Sequence, residues 1–187
     1  AIGNLTIFIS GETFNLYGHK LHSLGTLLYV IEAYLAAGFL WHASAGLLLT
    51  RSDGKLKVGS KFSWTAARLA LSGLVVLIFV VTHVRTFRFG PWYTTTIHGH
   101  EVRDLWRLQR EVFASPVTVC FYIIALFVLQ QHLRWGWTKT VRKPQGLAKY
   151  LSKDALQAAE TIGNVMAIGV TLCYAALPIY THLFAAP

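Results

Sequence analysis

Four stretches of this chain, residues 24–49, 66–84, 117–133 and 161–184, are apolar over lengths that match the hydrocarbon core of a bilayer. No other feature restricts its folding so severely. A helix needs about 20 residues at 1.5 Å each to cross that core, and inside it every backbone N–H and C=O must be satisfied within the segment. The second stretch contains LALSGLVVLIFVV and the third VTVCFYIIALFVL, both nearly free of polar side chains. We therefore expect an all-α membrane protein, a four-transmembrane-helix bundle formed as one domain over residues 1–187. Pro116 suits a first helical turn, where its missing N–H costs nothing, whereas Pro178 should kink the fourth span near its end.

Composition supports a membrane solvent and argues against nucleic acid. Of 187 residues, 54% are hydrophobic and only 13% charged, about half the charged fraction of a soluble domain. The net charge of +9 could suggest a polyanion. The cations, however, lie between the apolar runs, as basic loops do at a lipid surface. The first connection carries Arg51, Lys55, Lys57 and Lys61 against one Asp. The third carries Lys139, Arg142, Lys143, Lys149 and Lys153, again against one Asp. The second mixes five Arg with Glu101, Asp104 and Glu111. The positive-inside rule then puts the first and third connections in the cytoplasm or mitochondrial matrix, with both termini across the membrane. Residues 101–113, EVRDLWRLQREVF, read as an amphipathic helix lying in the interface before the third span. Cys120 and Cys173 sit inside apolar runs as free thiols. The chain opens at Ala1 without an initiator Met, so we expect an upstream Met or targeting segment to have been removed.

Three histidines fall within the first three spans: His42 in the first, His83 in the second and His132 in the third. An imidazole in hydrocarbon is costly unless paired, so each is a functional candidate against the plainer alternative of a hydrogen-bonded packing residue. His42 and His132 lie near the ends of spans that run in the same direction, so they should share a depth near the inner surface. Two axial ligands of one haem need that equality. His83, near the end of an oppositely directed span, belongs near the outer surface without a partner. Small residues allow close approach by a flat macrocycle or a neighbouring helix. Ser44 and Gly46 follow His42, Gly136 follows His132, and Ser72 and Gly73 precede His83. Arg51, Arg134, Lys139 and Lys143 flank the inner pair as candidates for neutralising haem propionates. Glu32 lies about 15 Å from His42 along the helix axis, as a protonated packing carboxyl or part of a proton path. On the outer side, Asn15, Tyr17, His19 and His22 are candidates for a quinone pocket. His98, His100 and His182 lie there too, and the HGH of residues 98–100 is too short for a metal motif.

Taken in order, AIGNLTIF, FLWHASAGLLLTR, LIFVVTHVRTFRFGP, RDLWRLQREVFASP, FYIIALFVLQQHLRWGW and ALPIY make the chain resemble a known family. It is similar to the single-chain dihaem (b558-type) cytochrome b anchor of succinate:quinone oxidoreductases, over nearly its whole length. The resemblance implies a five-helix fold holding two stacked b haems, of which this chain would form the second to fifth helices. It assigns His42 and His132 as ligands of the haem nearest the iron–sulfur subunit, and His83 as one ligand of the far haem. The family's first helix, with the remaining ligand, is absent from this sequence. A separate small subunit supplying it, a local histidine such as His22, or the lack of a second haem would each account for that. Gln130, two residues before His132, stands where some members carry a glutamate tied to transmembrane proton return.

The expectation is thus a haem b membrane anchor of succinate dehydrogenase. It would join flavoprotein and iron–sulfur subunits to the membrane, most readily the mitochondrial inner membrane, and pass electrons to ubiquinone or menaquinone. Succinate oxidation would occur on the flavoprotein, so no catalytic residue for it is expected here. Two alternatives stay open. One is a haem b carrier serving another dehydrogenase or hydrogenase, and the other is a structural membrane subunit without haem.

Overall fold

The computed structural model describes residues 2–52, 64–143 and 147–185. The chain opens with α1 (Ile2–Leu5), a 3-10 turn at Thr6–Phe8 and α2 (Gly11–His22), followed by α3 (Thr26–Ser52) and α4 (Trp64–Phe87). A hairpin of β1 (Thr94–Ile97) and β2 (His100–Arg103) leads into α5 (Leu105–Phe113) and α6 (Pro116–Val141). A second 3-10 turn at Leu147–Lys149 precedes α7 (Lys153–Tyr180), which ends in a π-helical turn at Thr181–Ala185. Among the described residues, four helices are long and apolar enough to cross a membrane: Thr26–Leu48, Ala67–Phe87, Pro116–Val141 and Lys153–Ala185.

Hydrogen-bonding side chains mark where these helices begin. Ser10, Asp104, Ser115 and Ser152 each accept the backbone N–H three residues on, at the starts of α2, α5, α6 and α7. These side chains satisfy donors that the first helical turn leaves bare. The Ser152 cap explains why α7 starts eight residues before the apolar run at 161. The helix continues through polar residues that a hydropathy window discards. In the same way α6 extends beyond 133 to Val141, since Arg, Trp, Thr and Lys are compatible with helix where a membrane helix meets water. Pro178 lies inside α7, and the hydrogen-bonding pattern widens to a π turn just after it.

Residues 101–113 are not one helix. Glu101–Arg103 pair with Thr94–Thr96 in an antiparallel hairpin, and the helix is confined to Leu105–Phe113. The reason is local. His98 and Gly99 have φ of 51° and 80° and form the two-residue loop between the paired Ile97 and His100. Two consecutive positive φ values match the twist of a tight hairpin. The HGH sequence is therefore a turn signal.

Within the bundle α6 packs between α4 and α7, while α3 lies against α4. The apolar span of α3 is the least enclosed, with none of it buried in the chain. We call the end carrying both chain termini the terminal face and the opposite end the loop face. The terminal face is closed by two small cores. Ile7, Phe14 and Leu177 pack with Leu105, Trp106 and Tyr174; Phe113, Val119 and Tyr122 pack with Phe79 and Phe87. Polar ties reinforce this end. Gln109 donates to Thr181 Oγ1 at 3.0 Å, and His182 Nδ1 donates to the Phe113 carbonyl at 2.8 Å. His182 therefore joins α7 to α5 as a structural residue.

Candidate bis-histidine site

His42 and His132 each stand sixteen residues beyond the first residue of their helix, Thr26 and Pro116. At 1.5 Å per residue both lie about 24 Å from the terminal face. Their rings meet across the gap between α3 and α6, with centroids 6.2 Å apart and planes at 88°. An ion held between two imidazoles requires much the same spacing. Two metal–nitrogen bonds of about 2 Å, with roughly 1 Å from each nitrogen to its ring centre, place the centroids about 6 Å apart.

The surroundings of the pair are lopsided. His132 Nδ1 lies 3.0 Å from the Ser72 hydroxyl on α4, and Ser72 Oγ donates to the Leu69 carbonyl at 3.2 Å. Ser72 is 6% exposed. A Cβ added at Gly73 would come within 3.3 Å of His132 Cε1, so the missing side chain there makes room for the imidazole. Ser72 and Gly73 thus serve His132, not the His83 of their own helix. The rotation of α4 about its axis decides this. On α3, His42 is exposed and has no hydrogen-bond partner among the described residues. Gly38 and Gly46, one turn before and one after His42, meet open space where a Cβ would be, as does Gly136 one turn after His132. These glycines leave bare lanes beside both rings, against which a flat macrocycle could lie. Gly38 was missed from sequence, although its i−4 spacing to His42 carries the same signal as Gly46.

Among the described residues no three or more His, Cys, Asp or Glu side chains converge, so there is no zinc-type cluster. A bis-imidazole group takes only two protein ligands, and the residues present fit that demand. His83 sits four residues before the end of α4, about 6 Å from the terminal face. Its ring neighbours are Phe79, Phe87 and Tyr122 at centroid distances of 5.8, 5.0 and 6.2 Å. No second histidine is among them.

The cations expected around the inner pair divide into different roles. Arg51 lies in the last turn of α3, and its side chain falls outside the described residues. Lys139 and Lys143 are exposed at the loop face. Arg134 donates from Nε to Asn164 Oδ1 at 3.4 Å, tying α6 to α7. Arg142 and Thr138 both bind the Glu160 carboxylate, at 2.8 and 3.0 Å. Arg68, not foreseen, lies one turn before Ser72, with its guanidinium 4.8 Å from the ring centre of Trp135. That places another cation on the side of α4 that faces His132.

Glu32 accepts a two-pronged bond from Arg88, Nε at 2.7 Å and Nη2 at 3.2 Å, which ties α3 to the end of α4. A partner of this kind weighs toward a structural carboxylate and away from a proton path. The Glu32 hydrogen bond is also the main reason that the Arg88 pKa is raised. Arg103, stacked on Trp92 at 4.4 Å, has its pKa lowered by burial and then by the like charge of Arg88. Nearby, Glu111 accepts the Tyr93 hydroxyl at 2.6 Å and Arg107 Nε at 3.0 Å. Its carboxyl is held below the ordinary range by Tyr93 first and Arg107 second, and the Tyr93 phenol is correspondingly raised.

The four candidate quinone residues all lie on α2, but they do not converge. Asn15 is buried and bonded at both ends of its amide. Its amide donates to Asp104 Oδ1 at 2.9 Å, and its carbonyl accepts the Trp106 N–H at 2.9 Å, so it locks α2 to the start of α5. Tyr17, about 200° around the helix from Asn15, covers Gly3. His19 is exposed. His22 Nδ1 donates to the Gly18 carbonyl at 3.1 Å, and the ring packs edge-on against Trp92. No protein-family model, curated protein or solved structure matches this chain.

Proposed function

We propose that this chain is the membrane-anchor cytochrome b subunit of a succinate:quinone oxidoreductase. It would take electrons from an iron–sulfur subunit at the loop face and pass them through haem b toward a membrane quinone, ubiquinone or menaquinone. One observation carries the reading: imidazoles from α3 and α6 meet at equal depth, at the spacing a shared iron requires. Haem b supplies a one-electron couple when bound. The chain's own part is to present Nε2 of His132 from a fixed ring, and His42 from the facing helix. Gly38, Gly46, Gly73 and Gly136 keep the approach clear. Arg68 and the lysines at 139 and 143 provide positive charge toward the loop face.

The exposed imidazole of His83, in its collar of Phe79, Phe87 and Tyr122, is assigned to a second haem, whose other ligand comes from another chain. A separate small subunit supplying one further helix is the partner this assignment implies, beside the flavoprotein and iron–sulfur subunits. The mitochondrial inner membrane is the proposed location.

Reduced-minus-oxidised spectra of the purified protein test this, together with a haem count and a subunit inventory. We expect a b-type α-band that His42→Ala and His132→Ala each abolish for the inner haem while leaving any outer haem intact. A wild-type preparation with no b-type spectrum would exclude the reading. Co-purification with a hydrogenase or another dehydrogenase would move the same electron-transfer role to a different complex.

A further inference from the structure

We infer that Ser72 of α4 is a positioning residue that fixes the tautomer and ring plane of His132 and so sets the redox potential of the inner haem. The inference deepens the proposed function and rests on it. Ser72 has one hydroxyl hydrogen, and the Leu69 carbonyl at 3.2 Å receives it. With that hydrogen on Leu69, we assign the 3.0 Å contact to His132 as Nδ1–H donating to a lone pair of Ser72 Oγ. Nδ1 therefore carries the proton, and Nε2 is the only nitrogen of that ring free to ligate. Gly73 leaves the ring its place, because a Cβ at that position would stand 3.3 Å from Cε1. The bond is shielded, since Ser72 is 6% exposed.

His42 has no comparable tie among the described residues, so the two ligands are unequal. A ring whose distal N–H is engaged is a more basic donor, and it favours the ferric over the ferrous state. The third helix of the site, which contributes no ligand, thereby controls the poise of the centre through a single hydroxyl.

The test uses the full-length protein in its complex, comparing wild type with Ser72→Ala and Ser72→Thr by redox titration of the inner band and low-temperature EPR. Ser72→Ala should raise the midpoint potential. A change of up to tenfold in the oxidised-to-reduced ratio at fixed potential corresponds to at most about 59 mV for one electron. It should also broaden the low-spin signal as the ring plane relaxes. Ser72→Thr keeps the hydroxyl and should restore both. Loss of the inner haem in Ser72→Ala with retention in Ser72→Thr supports the same assignment. An unchanged potential and signal in Ser72→Ala overturns it while leaving the bis-histidine reading intact, and so does equal haem loss in both variants. A wild-type protein lacking haem removes the parent reading, and this inference with it.

Discussion

Arg88 and Glu32 provide an unequal pair for measuring how α3 is held to the bundle. Glu32 lies six residues inside α3, about 9 Å from its start, whereas Arg88 immediately follows the last residue of α4. Opposite charges about 4 Å apart interact by about 4 kcal/mol at an effective dielectric of 20. Both side chains are partly exposed, at 28% and 37%, so the net coupling should be about 1–3 kcal/mol. The single substitutions should differ. Arg88→Ala leaves a carboxylate inside a membrane span without its two-pronged partner, at a cost of about 2–3 kcal/mol. Glu32→Ala leaves an arginine at a helix end, where its long stem carries the guanidinium out to the interface, at a cost of about 1 kcal/mol. Replacing both by Gln removes the stranded charge and should cost less than Arg88→Ala alone. Thermal unfolding in mild detergent, followed by helical circular dichroism in a double-mutant cycle, measures each term. Glu32→Ala proving as damaging as Arg88→Ala, or a coupling below about 0.5 kcal/mol, would refute the depth argument.

Other consequences can be measured separately. Gly73→Ala should push the His132 ring by a few tenths of an ångström and shift the inner-haem EPR signal, whereas Gly169→Ala, with open space at its Cβ, should leave it unchanged. Gly163→Leu should displace the Trp137 indole that packs over Gly163, breaking the 2.9 Å bond from Nε1 to the Ala159 carbonyl and lowering thermal stability by about 1–3 kcal/mol. Tyr93 should ionise above its usual value of about 10, and Glu111→Gln should bring it back down, as a phenolate absorbance titration would show. The Glu111 shift has the opposite sign: its depressed carboxyl stabilises the fold above its ordinary pKa. That contribution is lost as acid titrates it in the folded state, so Glu111→Gln should flatten the low-pH arm of the stability profile.

The depth of the histidines was legible in the sequence because helical rise is constant. The sixteen-residue offsets of His42 and His132 place the two rings at one level whatever the helices do sideways. Rotation about each axis was not legible, and it decides which side chains meet. Ser72 and Gly73 are on the helix of His83 yet serve His132, and Glu32 meets Arg88 across α3 and α4. The terminal face was read least well. Asn15 lines a pocket beside Asp104 and Trp106, and its bonds to both residues lay outside what the sequence could show. Residues 101–103 keep a helical pattern of polarity but are captured by a hairpin whose signal lies in His98 and Gly99, just upstream. Apolar runs marked where lipid begins, whereas α6 and α7 extend past them on capping and polar helix formers that hydropathy ignores.

The axial pair itself is most directly tested by near-infrared magnetic circular dichroism of the oxidised protein. A charge-transfer band characteristic of two histidine ligands should be present in wild type, and the inner-haem share of it should vanish in both His42→Ala and His132→Ala. Persistence of the full band in either variant would show that the iron is held elsewhere.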